Sequence, residues 1–404
     1  MTGLPERWHE VRLGPDRIGD IVQRGDVTRF LFADDYWDRA NRRVLGVWFE
    51  DHPGASPRSA LRLPQWFSNL LPEGRLRDWI ARERRVSAQR EIELLLQIGH
   101  DLPGAVTVIE GGTAREWTED EVAPQWDDEA PGPWKFSLAG VGMKFSMVQA
   151  GDRLVLPARD VLGRWIVKLP DTGFADIPAN EAAMMSLAEL AGLDVPEHRL
   201  VHRDELGPLP PGAWQASEAH AYAVRRFDRA DGERIHIEDF AQVRGKYPGD
   251  TEKYQGTFET VAALCYRGTD LRALREWARR VAFNLAIGNG DAHLKNWSLI
   301  YPDGRHPTLS PVYDLVSTRS HLPDDDLGLK FTGTRNVDRV SPGGFAVVEG
   351  RLGVDGGGLE EIAAETVRAV IENAPGVADR YPVVSGTVDW VVDNARRVKR
   401  QLRF

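Results

Sequence analysis

Up to about residue 60, runs such as Phe30-Leu31-Phe32 and Val44-Leu45-Gly46-Val47-Trp48-Phe49 alternate with polar turns, the pattern of a small antiparallel β unit. Helical spacing follows. A segment from Glu73 to about Arg85 opens just after Pro72 and sets Leu76, Trp79 and Ile80 on one side. A second, with Ser87 as its expected N-cap, carries Ile92, Leu95, Leu96 and Ile98. Residues 111–133, with Gly111-Gly112, several acids and three prolines, read as a linker or exposed loop.

From Trp134 the strand pattern returns, over Trp134–Ser137, Phe145–Val148, Leu154–Leu156 and Trp165–Leu169. A helix is expected from about Asn180 to Leu190, rich in Ala and Met, with Gly192 as its C-cap glycine. Strands around Leu200-Val201 and Tyr222–Val224 complete an antiparallel sheet with one packed helix. After Asp228 helical periodicity dominates, in Phe240–Gly245, Phe258–Tyr266, Leu271–Leu285, Leu359–Asn373 and again toward the carboxyl end. Leu271, Leu274, Trp277, Val281 and Leu285 form one apolar stripe that stops at Gly288. The expected organisation is an α+β chain in three parts: an N-terminal β/α unit over 1–110, a sheet lobe over 111–228 and an all-helical lobe over 229–404. No internal repeat or low-complexity tract interrupts it.

The loop after that stripe, Gly288-Asn289-Gly290-Asp291-Ala292-His293-Leu294-Lys295-Asn296, holds the groups of ATP-dependent phosphoryl transfer. Asp291 is placed to accept a hydroxyl proton, and Asn296, five residues on, has the spacing of the kinase asparagine that holds magnesium. A strand from Trp297 to Tyr301, a turn at Pro302-Asp303-Gly304 and a return over Pro307–Ser310 bring Asp314 back beside it as a second metal-binding group. Phe136-Ser137-Leu138-Ala139-Gly140-Val141-Gly142-Met143-Lys144 is a strand and glycine-bearing turn whose backbone N–H groups suit phosphate oxygens, with Lys144 adding positive charge. Lys168, inside the apolar strand Trp165–Leu169, needs a partner charge if buried, and an ATP phosphate, with Glu181 holding the ammonium, answers that need. His293, a lone histidine in a polar loop, reads more often as a hydrogen-bonded brace than as a ligand, and a His/Asp metal site with hydrolytic chemistry is the minor alternative, since zinc usually takes two or three N/S ligands from the protein.

A length of 404 residues with 42% hydrophobic content supports more than one core. Asp plus Glu outnumber Lys plus Arg by 61 to 51, a net charge of -10, which argues against a free-standing nucleic-acid binder and leaves any DNA contact to a basic partner. Cys265 is the single cysteine, so an internal disulfide and a multi-cysteine zinc site are excluded. No signal-type apolar core opens the sequence and no run approaches the ~18 apolar residues that span a bilayer, so a cytoplasmic protein without a membrane role is expected.

Across nearly its whole length the chain resembles the HipA-type serine/threonine kinases, toxins of bacterial toxin-antitoxin pairs. The blocks that carry the resemblance are Trp66-Phe67-Ser68-Asn69-Leu70-Leu71-Pro72-Glu73-Gly74, Gly104–Thr107, Ser137–Val141, Val167–Pro170, Asn180-Glu181, Arg226–Arg229, Gly290–Asn296 and Tyr313–Ser317. The resemblance implies a two-lobed, protein-kinase-like fold that uses ATP and Mg2+, with Asp291 as the base, Asn296 and Asp314 as magnesium ligands and Lys168 on the ATP phosphates. It counts Gly140, Gly142, Lys144, His293 and Lys295 with the nucleotide-binding set, makes Val224, Arg226 and Phe227 the hinge against adenine, and makes Ser137 an inactivating autophosphorylation site. It also implies a HipB-like helix-turn-helix antitoxin that contacts DNA, and a translation factor such as an aminoacyl-tRNA synthetase as substrate. The family's loop usually carries glutamine where this chain has Gly142. A small-molecule kinase and a co-repressor body without catalysis are the alternatives.

Overall fold

The computed structural model describes residues 5–112, 142–158, 161–230, 232–249 and 251–404. The expected strand Trp134–Ser137, together with Ser137 and Gly140, lies outside the described residues.

The first unit is a five-stranded antiparallel sheet in which Glu6–Leu13, Asp16–Arg24 and Val27–Phe32 form a meander, Arg58–Ala60 extends one edge and Val106–Ile109 returns to the other. Helices Gly74–Arg84 and Glu91–Ile98 cover it, and Leu76, Ile80, Leu94 and Leu95 join Val11, Ile21, Phe30 and Phe67 in one core. The second helix starts later than expected. It begins at Glu91, while the Ser87 hydroxyl accepts from the amides of Gln89 and Arg90 in the turn ahead of it.

A second five-stranded antiparallel sheet runs in the order Arg153–Val155, Lys144–Ala150, Trp165–Lys168, His220–Arg225, His198–His202. Its strands have period two, so Phe145, Val167 and Ala223 point into the core of the first unit while Lys144, Lys168 and Tyr222, aligned across three strands, face the other way. The two sheets therefore share a core. On the opposite face lies helix Ile177–Leu190, whose residues Pro178 to Ala188 are all buried between this sheet and helix Leu359–Arg380. A helix rich in Ala and Met suits such a site, since it is apolar nearly all round. Gly192 takes the left-handed conformation (φ 82°) just past its end, as expected.

Helices Phe258–Tyr266, Leu271–Ile287, Leu359–Arg380 and Ser385–Leu402 form the body beyond. Leu274, Trp277, Val281 and Leu285 of the predicted stripe are fully buried, and Asp270 caps that helix on the Ala273 amide. Leu359–Arg380 runs past Asn373 through Pro375, with Ala374 and Val377 in the core on either side of the proline.

The C-terminal part is not all helical. Strand His236–Asp239 pairs with Ser298–Tyr301, which pairs with Thr308–Leu309. The first strand is hard to read because its buried positions are polar: His236 bonds the Leu45 carbonyl, and the Glu238 carboxylate accepts from the Val47 amide, the Trp66 indole and the Tyr301 hydroxyl. Burial pushes the Glu238 carboxyl up to about 7. With a folded-state pKa above the ordinary 4.5, Glu238 contributes stability that is full below about 4.5 and lost as pH rises through about 7. Glu238→Gln, which mimics the protonated acid, is expected to flatten this dependence. Thermal unfolding at pH 5 and pH 8 should show a larger drop for the wild type than for E238Q.

Candidate active site

Helix Leu271–Ile287 ends at Gly288, whose φ of 64° favours glycine and where a Cβ would strike the Trp390 ring. The chain then folds into a loop tied from within. The Asn289 side-chain Nδ2 donates to Asn284 Oδ1 at 2.8 Å, and its Oδ1 accepts from the Asp291 backbone amide at 3.0 Å. The Gly290 amide donates to the Thr318 hydroxyl, so this loop and the segment after Asp314 are held together.

Lys168 is the centre of the arrangement. Its ammonium donates to Glu181 Oε1 at 2.6 Å and to Asp314 Oδ1, joining the second sheet, the buried helix and the 313–317 segment. Burial alone would lower the Lys168 pKa, but Asp314 and then Glu181 more than reverse this and raise it. Asp314, though only partly shielded from solvent, is held well below the usual carboxylate range by Lys168 and Lys144, which outweigh its desolvation. Glu181 is pushed up to about 7 by burial, with Lys168 opposing. Lys144, cross-strand to Lys168, is lowered to about 8 by burial, with Asp314 opposing and Lys168 reinforcing.

Asp314 itself has φ 57°, a left-handed conformation that Asp tolerates better than most residues. Asn180, next to Glu181, fixes this segment from below: its amide donates to the Ser317 carbonyl at 3.1 Å and its carbonyl accepts from the Ser317 amide at 3.0 Å.

Between the two loops lies a cavity of about 10 Å3, enough for one ion or water, lined among others by Asn289, Asn296 and Asp314. Asn296 Oδ1 is buried there with no hydrogen-bond partner among the described residues. Such an orphaned oxygen beside a carboxylate fits a hard divalent cation, which takes oxygen ligands. No cluster of three His, Cys, Asp or Glu side chains is found among the described residues.

Asp291 projects outward with its carboxylate more than half exposed, accepting from the Tyr254 hydroxyl at 2.6 Å. His293 is buried behind it, 3.9 Å away, and burial lowers its pKa, which favours the neutral ring. Phe227 packs on Tyr313 at 5.8 Å, placing the 224–227 segment against the residue before Asp314, and Val224 is buried in the sheet.

Two expected nucleotide contacts are engaged elsewhere. Lys295 directs its ammonium to the Asn69 carbonyl (3.1 Å), the Asn69 side-chain oxygen (2.9 Å) and Asp239 (2.7 Å), which uses all three donors. Arg226 is fully buried on Asp228, Asp101 and Ser146, within a network that includes Arg229. Ser146, beneath that guanidinium, is wholly buried. Gly142 is exposed with open space where a Cβ would stand. Asn180, Asn69, Glu73 and Tyr254 carry no expected role from the sequence, although the first three lie within the segments that carry the family resemblance.

The model described as the HipA N-terminal domain matches residues 9–109, and the HipA-like C-terminal domain matches residues 136–374, more than half of the chain. The chain belongs to the HipA family. This HipA-type chain is 36% identical to Y4dM of Sinorhizobium fredii, a protein named as a candidate kinase, with 98% of each covered. It is 28% identical to the serine/threonine-protein kinase toxin HipA of Shewanella oneidensis over 76% of this chain and 74% of that one. A solved structure of the Shewanella oneidensis HipA, HipB and operator DNA complex aligns with a TM-score of 0.73 at 22% identity, covering 98% of both chains, so the fold is shared.

Asn180→Ala removes both bonds to Ser317. The opening cost of the 313–318 segment is expected to fall by about 1–3 kcal/mol, roughly a fivefold to hundredfold rise in local amide exchange. Hydrogen exchange read by mass spectrometry would show this with the helical body still protected.

Proposed function

We propose that this HipA-type chain is an ATP- and Mg2+-dependent serine/threonine protein kinase acting as the toxin of a toxin-antitoxin pair. The observation that carries the reading is the Lys168 ammonium shared between Glu181 and Asp314, beside the unpartnered oxygen of Asn296. A phosphate and a divalent cation are charge-matched to that arrangement, the phosphate to Lys168 and the cation to Asp314 and Asn296. Asp314 and Asn296 would hold such a cation, which when bound would offset negative charge on the phosphates. Lys144 adds a second positive group on the same sheet face.

Asp291, exposed and tied only at one oxygen by Tyr254, is the group for the substrate. It accepts the proton of a Ser or Thr hydroxyl as that oxygen bonds to the γ-phosphorus, while the γ-phosphorus to bridging-oxygen bond breaks and ADP leaves. Phe227 and Val224 serve the adenine side. Ser137 is the self-phosphorylation site, where roughly -1.5 to -2 added charge opposes a phosphate-binding loop. A HipB-like antitoxin as DNA-binding partner fits both the net charge of -10 and the relative solved with HipB and operator DNA. A translation component is the proposed target, and the cytoplasm the proposed location. No described helix is long and apolar enough to cross a membrane.

With radiolabelled ATP, Asp291→Asn is expected to slow transfer by about 10²–10⁴-fold while nucleotide still binds. Wild-type labelling by D291N would remove Asp291 from its role. Ser137→Ala should lose most self-labelling and keep ATP binding, and phosphate mapped by mass spectrometry mainly to another residue would overturn that site.

A further inference from the structure

The block Asn69-Leu70-Leu71-Pro72-Glu73 belongs to the first unit, yet Asn69 meets the loop that carries Asp291 and Glu73 meets Lys253, the residue before Tyr254. Asn69 receives Lys295 of that loop through both its backbone and side-chain oxygens. Glu73, nearly buried, pairs with the buried Lys253 at 3.0 Å, and its other oxygen is buried with no partner among the described residues. Lys295 and Lys253 more than offset the burial of Glu73 and hold its carboxyl below the ordinary value, so it is a charged group facing this loop.

The residue after Lys253 is Tyr254, whose hydroxyl donates to Asp291. Its ring is held on several sides: His293 meets it edge-on at 5.1 Å, Lys253 and Arg335 lie 5.6 and 5.7 Å from its centroid, and Arg335 also bonds the Tyr254 carbonyl at 2.5 Å. A phenol fixed this firmly is a poor candidate for a freely rotating surface group. It aims one donor at one carboxylate oxygen and leaves the other free to face a substrate hydroxyl.

We infer that Tyr254 is a positioning residue for Asp291, and that the first unit takes part in catalysis by seating Tyr254 through the Glu73–Lys253 pair. The inference rests on the reading of Asp291 as the base. Asn69, through Lys295, secures the far end of the same loop, so both ends of the 291–296 segment are referenced to the first unit. A misplaced carboxylate costs rate without costing nucleotide affinity, because Lys168 and Asp314 stand on other elements.

The experiment is single-turnover self-phosphorylation of the full chain at varied radiolabelled ATP concentration. Tyr254→Phe is expected to lower the maximal rate about tenfold, from loss of one hydrogen bond to a charged group, with half-saturating ATP within about twofold of wild type and an unchanged melting temperature. Glu73→Gln should lower the same rate, and the double variant should be no slower than the slower single one. A Y254F rate at or above wild type overturns the positioning role. Multiplying effects in the double variant, with Glu73→Gln folded, overturn the route through Lys253. If Glu73→Gln does not fold, Y254F still decides the role of the hydroxyl. D291N at the wild-type rate sinks the base itself, whereas an active Y254F beside an inactive D291N sinks only this inference.

Discussion

The ammonium of Lys168 is the point on which the rest of the molecule converges. It lies on a central strand opposite Lys144, a like-charge neighbour that by itself disfavours the pairing of those strands. Two carboxylates answer the excess positive charge, Glu181 from a helix buried on all sides and Asp314 from a loop held in a left-handed conformation. Glu181 is buried and would be costly there without its partner, while the partly exposed Asp314 adds the second link to the same ammonium. The mutual neutralisation of these four groups sets where the second sheet, the buried helix and the loop of Asp314 meet.

Around that centre, polar contacts connect parts that are far apart in the chain. Asp101 beside Arg226 and Arg229, Glu73 on Lys253, Asn69 on Lys295, and Glu238 under Trp66 and Val47 all join the first unit to later segments. Buried ion pairs of this sort add little net stability because desolvation offsets attraction, but removing one partner leaves a charge stranded, so they specify one geometry. The apolar contribution is continuous as well, since Phe145 and Val167 of the second sheet pack in the core of Phe30 and Leu95. The first unit is thereby a wall of the same body.

Period and punctuation made much of the fold legible. The stripe from Leu274 to Leu285, the glycine stops at Gly192 and Gly288 and the alternation in Trp165–Lys168 depend on local spacing, and they fall where spacing puts them. Strand His236–Asp239 did not, because buried polar residues hide a strand from any hydrophobic pattern, and the helix expected after Ser87 begins only at Glu91. Lys168 and Glu181 could be paired from the cost of burying a lysine, and they are. The acids that hold Lys295, expected among the nucleotide-binding residues, and Arg226, expected in the hinge, left no local signal, since their partners lie on other elements.

What the chain's order of residues determined by itself was the menu: which segments alternate, which turn helical, where they stop, and which acids, amides and lysines are present to do chemistry. Beyond the Lys168–Glu181 pair, tertiary structure decided which polar groups meet. Asp239 took Lys295, Asp101 and Asp228 took Arg226, and Tyr254 took Asp291. The physical reason is that backbone preference acts over a few residues, whereas the pairing of a buried charge is settled by whichever partner the packed core brings within hydrogen-bonding distance, however remote in the chain.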